Sequence, residues 1–372
     1  MKLTIERAAL LKTLAHVQSA VERRNTIPIL ANVLIDAGEG RLLLTATDMD
    51  LTIVDSVPAE IGEPGATTAP VHMLYDIVRK LPEGAQVELS TMGDGGRIKV
   101  EAGRSVFTLA TLPREDFPAL GEADLPHAFT LQPAELRNLI DRTRFAISTE
   151  ETRYYLNGIY LHAAKTGDID VLRAVATDGH RLARFEMPLP EGAAGMPGVI
   201  VPRKTVNELR KLLDESDDAV SVSLSDTRIQ FSFGAAVLTS KLIDGTFPDY
   251  QRVIPVGNDK VVRVRCQSFR EAVDRVSTIS SEKSRAVKLK ISDGAITLSA
   301  NSPENDTATE EVEIDYSGPD LEIGFNSRYL LDITQQIEGE DAQFSLADSA
   351  SPTVVSDVSD SSALYVLMPM RV

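Results

Sequence analysis

Three landmarks recur along this chain at a shared spacing, and that recurrence fixes what it can fold into. A strand ending in a small polar turn runs from Leu42 to Asp48, again from Leu172 to Asp178, and again from Ile296 to Ser302. A short helical segment recurs at 74–81, 206–213 and 330–337. A closing strand running into proline spans Val106 to Pro118, Ala236 to Pro248 and Ala363 to Pro369. Asp48, Asp178 and Ser302 lie 130 and 124 residues apart, and Leu81, Leu213 and Ile337 lie 132 and 124 apart. Repeats of that size are whole domains, and 372 residues suit two to three domains of about 100–150 residues. Turn-forming residues at 121–126 and 255–259 set the expected boundaries: domains at 1–121, 127–255 and 259–372.

Within each copy the pattern is a helix, strands, a second helix and more strands. Leu10, Leu11, Leu14, Val17 and Val21 form a stripe at helical spacing; so do Leu136, Leu139 and Ile140, and then Phe269, Ala272, Val273 and Val276. Alternation such as Val220-Ser221-Val222-Ser223-Leu224 marks half-buried strands. The expected class is α+β: three repeats, each with two helices on one face of antiparallel sheet.

The net charge of −17 argues against a nucleic-acid partner only if it is evenly spread. It is not. The helical windows 6–24, 71–81, 134–147, 203–213, 268–279 and 326–337 hold sixteen Lys and Arg against nine Asp and Glu. They sum to +7, so the rest of the chain sums to −24. Lys and Arg are good helix formers, but Glu is equally good and does not follow them. Basic helices and acidic sheets suit a protein that turns helices toward phosphates. Six helices per chain and a two-fold dimer give twelve around a ring. At ~9 Å between axes the circumference is about 110 Å, wide enough to admit a duplex.

Other classes are disfavoured by composition. No apolar run approaches the ~20 residues of a membrane span, and the N-terminal segment lacks the features of a signal peptide. The single cysteine, Cys266, fits a reducing cytoplasm. Five histidines with no Cys/His cluster give no reason to expect a metal or other cofactor.

The segments Tyr154-Tyr155-Leu156-Asn157-Gly158, Ala176-Thr177-Asp178-Gly179-His180-Arg181-Leu182-Ala183, Phe247-Pro248-Asp249-Tyr250 and Met368-Pro369-Met370-Arg371-Val372, in that order on a threefold repeat, resemble the bacterial beta sliding clamp family. The resemblance covers the whole chain. It implies a non-enzymatic processivity subunit of the replicative polymerase, a head-to-tail homodimeric ring with helices inside and sheets outside. Such a ring encircles duplex DNA without reading its sequence. A clamp loader places it there, and it tethers polymerase and repair proteins through short peptides.

Carried over by position, the resemblance implies a peptide site at Leu156, Thr177, Gly179, His180, Arg181, Leu182, Pro248, Arg252 and Val253, with Asn326 and Tyr329. The chain end adds Val366, Leu367, Met368, Pro369, Met370 and Arg371. Flexible, polarizable Met368 and Met370 suit varied apolar ligands. For DNA it points to Arg24, Tyr154 and Tyr155, with Arg203 and Lys204; Arg79, Arg137 and Arg210 are further helix cations. Glu150 stands where the family often has glutamine. For the dimer, opposite charges at the two ends of the chain suggest a contact: the first repeat offers Arg97, Lys99 and Arg104 and the third Glu304, Asp306, Glu310 and Glu311, while Thr278 and Ile279 sit where the family places an apolar interface pair.

Two other readings remain at this level. Asp48, Asp50, Asp55 and Asp178 could gather a divalent metal in a nuclease or phosphodiesterase. A repeat scaffold that binds only proteins is the other.

Overall fold

The computed structural model describes residues 1–93, 96–118, 121, 124–280 and 285–371. Glu122 and Ala123 of the first expected linker and Val372 of the terminal motif lie outside the described residues. Six α-helices are present among the described residues: α1 Arg7–Gln18, α2 Val71–Lys80, α3 Pro133–Asp141, α4 Arg203–Leu213, α5 Cys266–Ser277 and α6 Ser327–Thr334. The apolar stripes bury as their spacing requires, with Leu10, Leu14 and Val17 of α1 and Phe269, Ala272, Val273 and Val276 of α5 in the core. Leu11 is only half-buried.

Several helices are shorter than the sequence suggests, α1 and α3 most of all. The Glu6 side chain caps α1 by accepting from the Ala9 amide at 2.9 Å. At the other end the Ser19 hydroxyl donates to the His16 carbonyl at 2.8 Å, and the amides of Ala20 and Val21 bond three residues back. The helix therefore tightens and stops at Gln18, which leaves Arg23 and Arg24 in the loop that follows. In α3 the buried Thr143 hydroxyl donates back to the Leu139 carbonyl at 2.6 Å, and Arg142 and Arg144 fall outside the helix. The six helices still carry twelve Lys and Arg against seven Asp and Glu.

Among the described residues every strand pair is antiparallel, and two of the four sheets run through repeat boundaries. One eight-stranded sheet takes its strands in the order Gly65–Pro70, Asn32–Gly38, Arg41–Thr47, Leu51–Pro58, Ala236–Lys241, Arg228–Phe233, Val220–Leu224 and His127–Leu131. Leu51 lies opposite Ser240 where the first repeat meets the second. The other runs Val199–Pro202, Gly158–Thr166, Ile169–Thr177, Arg181–Pro188, Ala363–Leu367, Thr353–Asp357, Asp341–Leu346 and Lys260–Arg265, with Arg181 opposite Leu367. Pairing across the boundary satisfies backbone groups that a closed repeat would leave open at a sheet edge. The central repeat is consequently shared between two compact units, one of Met1–Pro133, Pro190–Met196 and Lys204–Leu242, the other of Ala134–Leu189, Pro197–Arg203 and Ile243–Val372.

Within the first unit, His16 of α1 ties that helix to both repeats. Its Nδ1 lies 2.6 Å from Asp55 on strand Leu51–Pro58, and its Nε2 lies 3.0 Å from Glu215 beyond α4. Two carboxylates on two ring nitrogens require the imidazolium form. Burial alone would lower the His16 value, but the Asp55 and Glu215 bonds outweigh it and hold it above the ordinary histidine range. A raised folded value gives stability that is complete below the unfolded value of about 6.5 and is lost as pH rises through the folded value. We expect the unmodified chain to exceed His16→Gln by about 1 kcal/mol at pH 6 and by much less at pH 9. Urea melts at the two pH values check this; a constant gap between the two proteins sinks it.

Candidate functional site

The expected recognition residues of the second unit collect around one buried apolar cluster. Leu156, Val175, Leu182, Ile200, Phe247, Tyr250 and Val366 form it, with Tyr155, Tyr160, Ile243, Ile254 and Leu364 packed against it. Leu156, Leu182 and Val366, expected from sequence at the peptide site, are buried in this cluster, and Leu367 is buried as well. The exposed residues sit on elements that the cluster anchors. Pro248, Arg252 and Val253 belong to the turn whose Phe247 and Tyr250 are buried, and Val253 is 50% exposed. Met368, 40% exposed, follows strand Ala363–Leu367 and is held by its amide, which donates to the His180 carbonyl at 2.9 Å. Pro369 and Met370 are half-buried, Arg371 is exposed, and the Met370 amide donates to the Gly324 carbonyl at 2.8 Å.

The turn from Thr177 to Arg181 is built from its own side chains. The Thr177 hydroxyl donates to the Arg181 carbonyl at 2.7 Å, and Asp178 Oδ1 accepts from the amides of His180 and Arg181 at 2.9 and 3.1 Å. Gly179 takes φ 89°, a left-handed conformation that favours glycine. The first unit repeats the design at Thr47 to Leu51, where the Thr47 hydroxyl donates to Leu51 at 3.0 Å and Asp48 accepts from the Asp50 and Leu51 amides. Asp48 and Asp178 are therefore turn formers. Asp48 also pairs with Lys204, Asp50 with Lys241 at 3.0 Å, and Asp55 with His16. Carboxylates committed in this way do not make the metal cluster that a nuclease needs.

Arg181 holds the site together from beneath. It is 8% exposed, and it donates to Asp178 Oδ2 at 3.1 Å, Asp332 Oδ2 at 2.5 Å and the Phe145 carbonyl at 2.5 Å. Its guanidinium lies 4.3 Å from the Tyr329 ring centroid, and exposed His180 stacks on that same ring with centroids 6.4 Å apart. Asn326 is the N-cap of α6, accepting from the Arg328 amide at 3.0 Å. Both residues thus have structural work independent of any ligand. Sequence reasoning passed over Asp332, Phe145, Phe247 and Tyr250; the Phe247-Pro248-Asp249-Tyr250 segment was the available signal for the last two.

The candidate DNA residues differ in how free they are. Tyr154 is 53% exposed, whereas Tyr155 is half-buried against the cluster, with the two rings edge-on at 5.8 Å. Arg24 and Arg203 are exposed. Arg79 is exposed and pairs with Asp76 at 3.3 Å; Lys204 pairs with Asp48 and Glu22, and Arg210 with Asp214. Arg137 is half-buried on α3. Glu150 pairs with Arg153 at 2.7 Å.

The candidate interface residues lie at sheet ends. Strand Ser105–Ala110 ends the five-stranded sheet, with Val106 and Phe107 exposed and Arg97 and Arg104 exposed nearby in sequence. Strand Thr307–Glu313 ends the four-stranded sheet, with Thr309, Glu311 and Glu313 exposed, and exposed Glu304 and Asp306 precede it. Glu310 is already clasped by Arg275 at 2.7 and 3.1 Å, which lowers its carboxyl below the usual range, and Lys99 pairs with Glu101 at 2.7 Å. Thr278 is exposed and donates back to the Asp274 carbonyl at 3.2 Å; Ile279 is half-buried.

Three α+β repeats, two of them with self-satisfied Thr-Asp turns, and an apolar cluster near exposed Met368 suit a binding protein. Family models for the N-terminal, central and C-terminal domains of the DNA polymerase III beta subunit match residues 1–121, 130–249 and 251–371. The chain is 58% identical to the beta sliding clamp of Caulobacter vibrioides and 41% identical to that of Escherichia coli K12, each over 100% of both chains. The crystal structure of the Caulobacter crescentus DNA polymerase sliding clamp superposes with TM-score 0.96 at 57% identity over 100% of both chains. A Bartonella birtlesii sliding clamp bound to griselimycin gives TM-score 0.97 at 51% identity, again over 100% of both chains. The chain belongs to the beta sliding clamp family, the beta subunits of DNA polymerase III. Its function is that of a processivity factor, and it catalyses no reaction. Among the described residues, no helix is long and apolar enough to cross a membrane.

Proposed function

We propose that two copies of this chain close head to tail into a cytoplasmic ring around duplex DNA, placed there by a clamp loader. The ring then holds the polymerase and repair proteins by short peptides seated beside Met368, Val253 and Pro248. Residues 1–121, 127–255 and 259–372 serve as its three domains. The observation that carries the peptide site is the bond from the Met368 amide to the His180 carbonyl, which sets exposed Met368 on the rim of a core already closed beneath it. For ring closure, the support is a pair of sheet ends of different character, Ser105–Ala110 apolar and Thr307–Glu313 acidic, each able to complete the other across a dimer. Exposed Arg24, Arg203 and Tyr154 supply contacts to the backbone and bases, and several cations share the load.

A topological trap tests the whole reading. With a clamp loader and ATP, labelled chain is expected to stay with nicked circular plasmid through gel filtration and to be released when the circle is cut once. Equal retention on cut and uncut DNA counts against encirclement, and nicking or cleavage of plasmid in Mg²⁺ by the chain alone counts against a non-catalytic clamp.

A further inference from the structure

The turn that presents Pro248, Arg252 and Val253 is fastened to the sheet by two buried rings. Phe247 stacks on Tyr160 at 4.9 Å and 8°, and Tyr160 stacks in turn on His162 at 4.5 Å. Tyr250, 5% exposed, ends in a hydroxyl that meets two groups of the sheet. Arg173 Nη1 donates to it at 2.8 Å, and His162 Nε2 lies 3.0 Å away.

The proton positions follow from the far side of the imidazole. His162 Nδ1 lies 3.0 Å from the Ala163 carbonyl, which can only accept. Nδ1 therefore carries the hydrogen, and Nε2 of the neutral ring is an acceptor. Tyr250 donates to His162 while it accepts from Arg173. Arg173 is fixed in its turn by Glu186 Oε2 at 2.9 Å and the Thr166 hydroxyl at 2.9 Å. One directed series of bonds thus runs from Arg173 through Tyr250 and His162 to the backbone of strand Gly158–Thr166.

We infer that Tyr250 and His162 are positioning residues for peptide recognition: they lock the 248–253 turn against the sheet, so that Pro248 and Val253 keep their place on the turn whose Phe247 and Tyr250 share a buried cluster with Val366, two residues before Met368. This rests on the peptide site proposed above. They are assigned to act through the turn, Tyr250 being buried and His162 half-buried. Their contribution is to spare the ligand the work of ordering the turn.

The same bonds make the lock sensitive to acid. The groups facing His162 are Tyr160 on its own strand, Tyr250 on the turn and Arg173 on strand Ile169–Thr177, with Glu186 and Arg184 of the next strand beside Arg173. Burial, aided by the Arg173 charge, keeps the His162 value below the ordinary histidine range, so the ring is neutral at pH 8. Protonation turns Nε2 from acceptor to donor and sets a second cation near the guanidinium. The hydroxyl then loses its acceptor.

The probe is griselimycin, the ligand on the Bartonella birtlesii clamp. It is titrated into the full chain, Tyr250→Phe and His162→Gln at pH 8 and pH 5, with thermal melts of each protein alongside. Tyr250→Phe keeps the ring and is expected to bind about five- to tenfold more weakly at pH 8 with a melt that shows one folded population. The unmodified chain is expected to weaken between pH 8 and pH 5, and His162→Gln is expected to lose most of that dependence. A purely structural role would move the melts without moving the pH profile. If the unmodified chain binds at pH 8 and both variants match it at both pH values, the lock is overturned while the peptide site stands. If the unmodified chain does not bind at all, the site and the lock fall together.

Discussion

If the peptide site proposed above is right, removing residues 368–372 is expected to weaken griselimycin and polymerase-peptide binding by about a hundredfold or more, while the chain stays folded and the proposed dimer keeps its mass. The expectation follows from where the structure divides buried from exposed. Strand Ala363–Leu367 keeps its full pairing with Arg181–Pro188 and Thr353–Asp357, and Val366 and Leu367 remain in the core. The deletion costs the described structure two backbone bonds, from Met368 to His180 and from Met370 to Gly324. It takes away the most exposed apolar side chain at the chain end, together with a second methionine, and contact energy of this kind concentrates in a few anchors. A hundredfold loss corresponds to about 2.7 kcal/mol, within reach of one or two such anchors. Calorimetric titration reads the affinity and light scattering the mass. An unchanged affinity would falsify the placement of the site.

Replacing Gly158 by alanine destabilises the second unit by about 3 kcal/mol. Gly158 opens strand Gly158–Thr166 and faces Pro202 across the ladder to Val199–Pro202. A methyl there overlaps the Val201 carbonyl and meets Ile200 Cγ2 at 3.0 Å, so backbone has to move and no flexible side chain can yield instead. The Asn157 carbonyl beside it accepts from the Arg203 amide at 2.9 Å, which ties the start of α4 to the same spot. Gly38 is the control, since an added methyl there meets nothing within 4 Å and its backbone needs no positive φ. Gly158→Ala is expected to melt about 5 °C or more below the unmodified chain, with Gly38→Ala close to it. Equal melting of the two variants would show that the ladder absorbs the methyl without strain.

The two experiments probe features of unequal visibility in the sequence. Helix faces were legible because their information is local: the stripe Phe269, Ala272, Val273 and Val276 needs only the helical period to be recognised, and all four are buried. The overrun of α1 to residue 24 came from reading Val21 into that stripe, although it buries from the turn beyond the Ser19 cap. Sheet continuity was not legible. Leu51 and Ser240 are 189 residues apart, and nothing in either strand names its partner. The turn Thr177 to Arg181 was visible as a motif, yet the motif does not say that Arg181 is consumed by Asp178 and Asp332. His16 carries no signal at all in sequence, because its two carboxylates come from residues 39 and 199 positions away.

Domain autonomy is the casualty of those shared sheets. A fragment ending at residue 121 would carry strand Leu51–Pro58 with one side stripped of the partner that Ala236–Lys241 now provides. That raw margin recruits another chain, by aggregation or by pairing with itself. Modular dissection of this protein by its repeats therefore yields pieces that are sticky by construction, and useful cuts must follow the stitching of the strands instead.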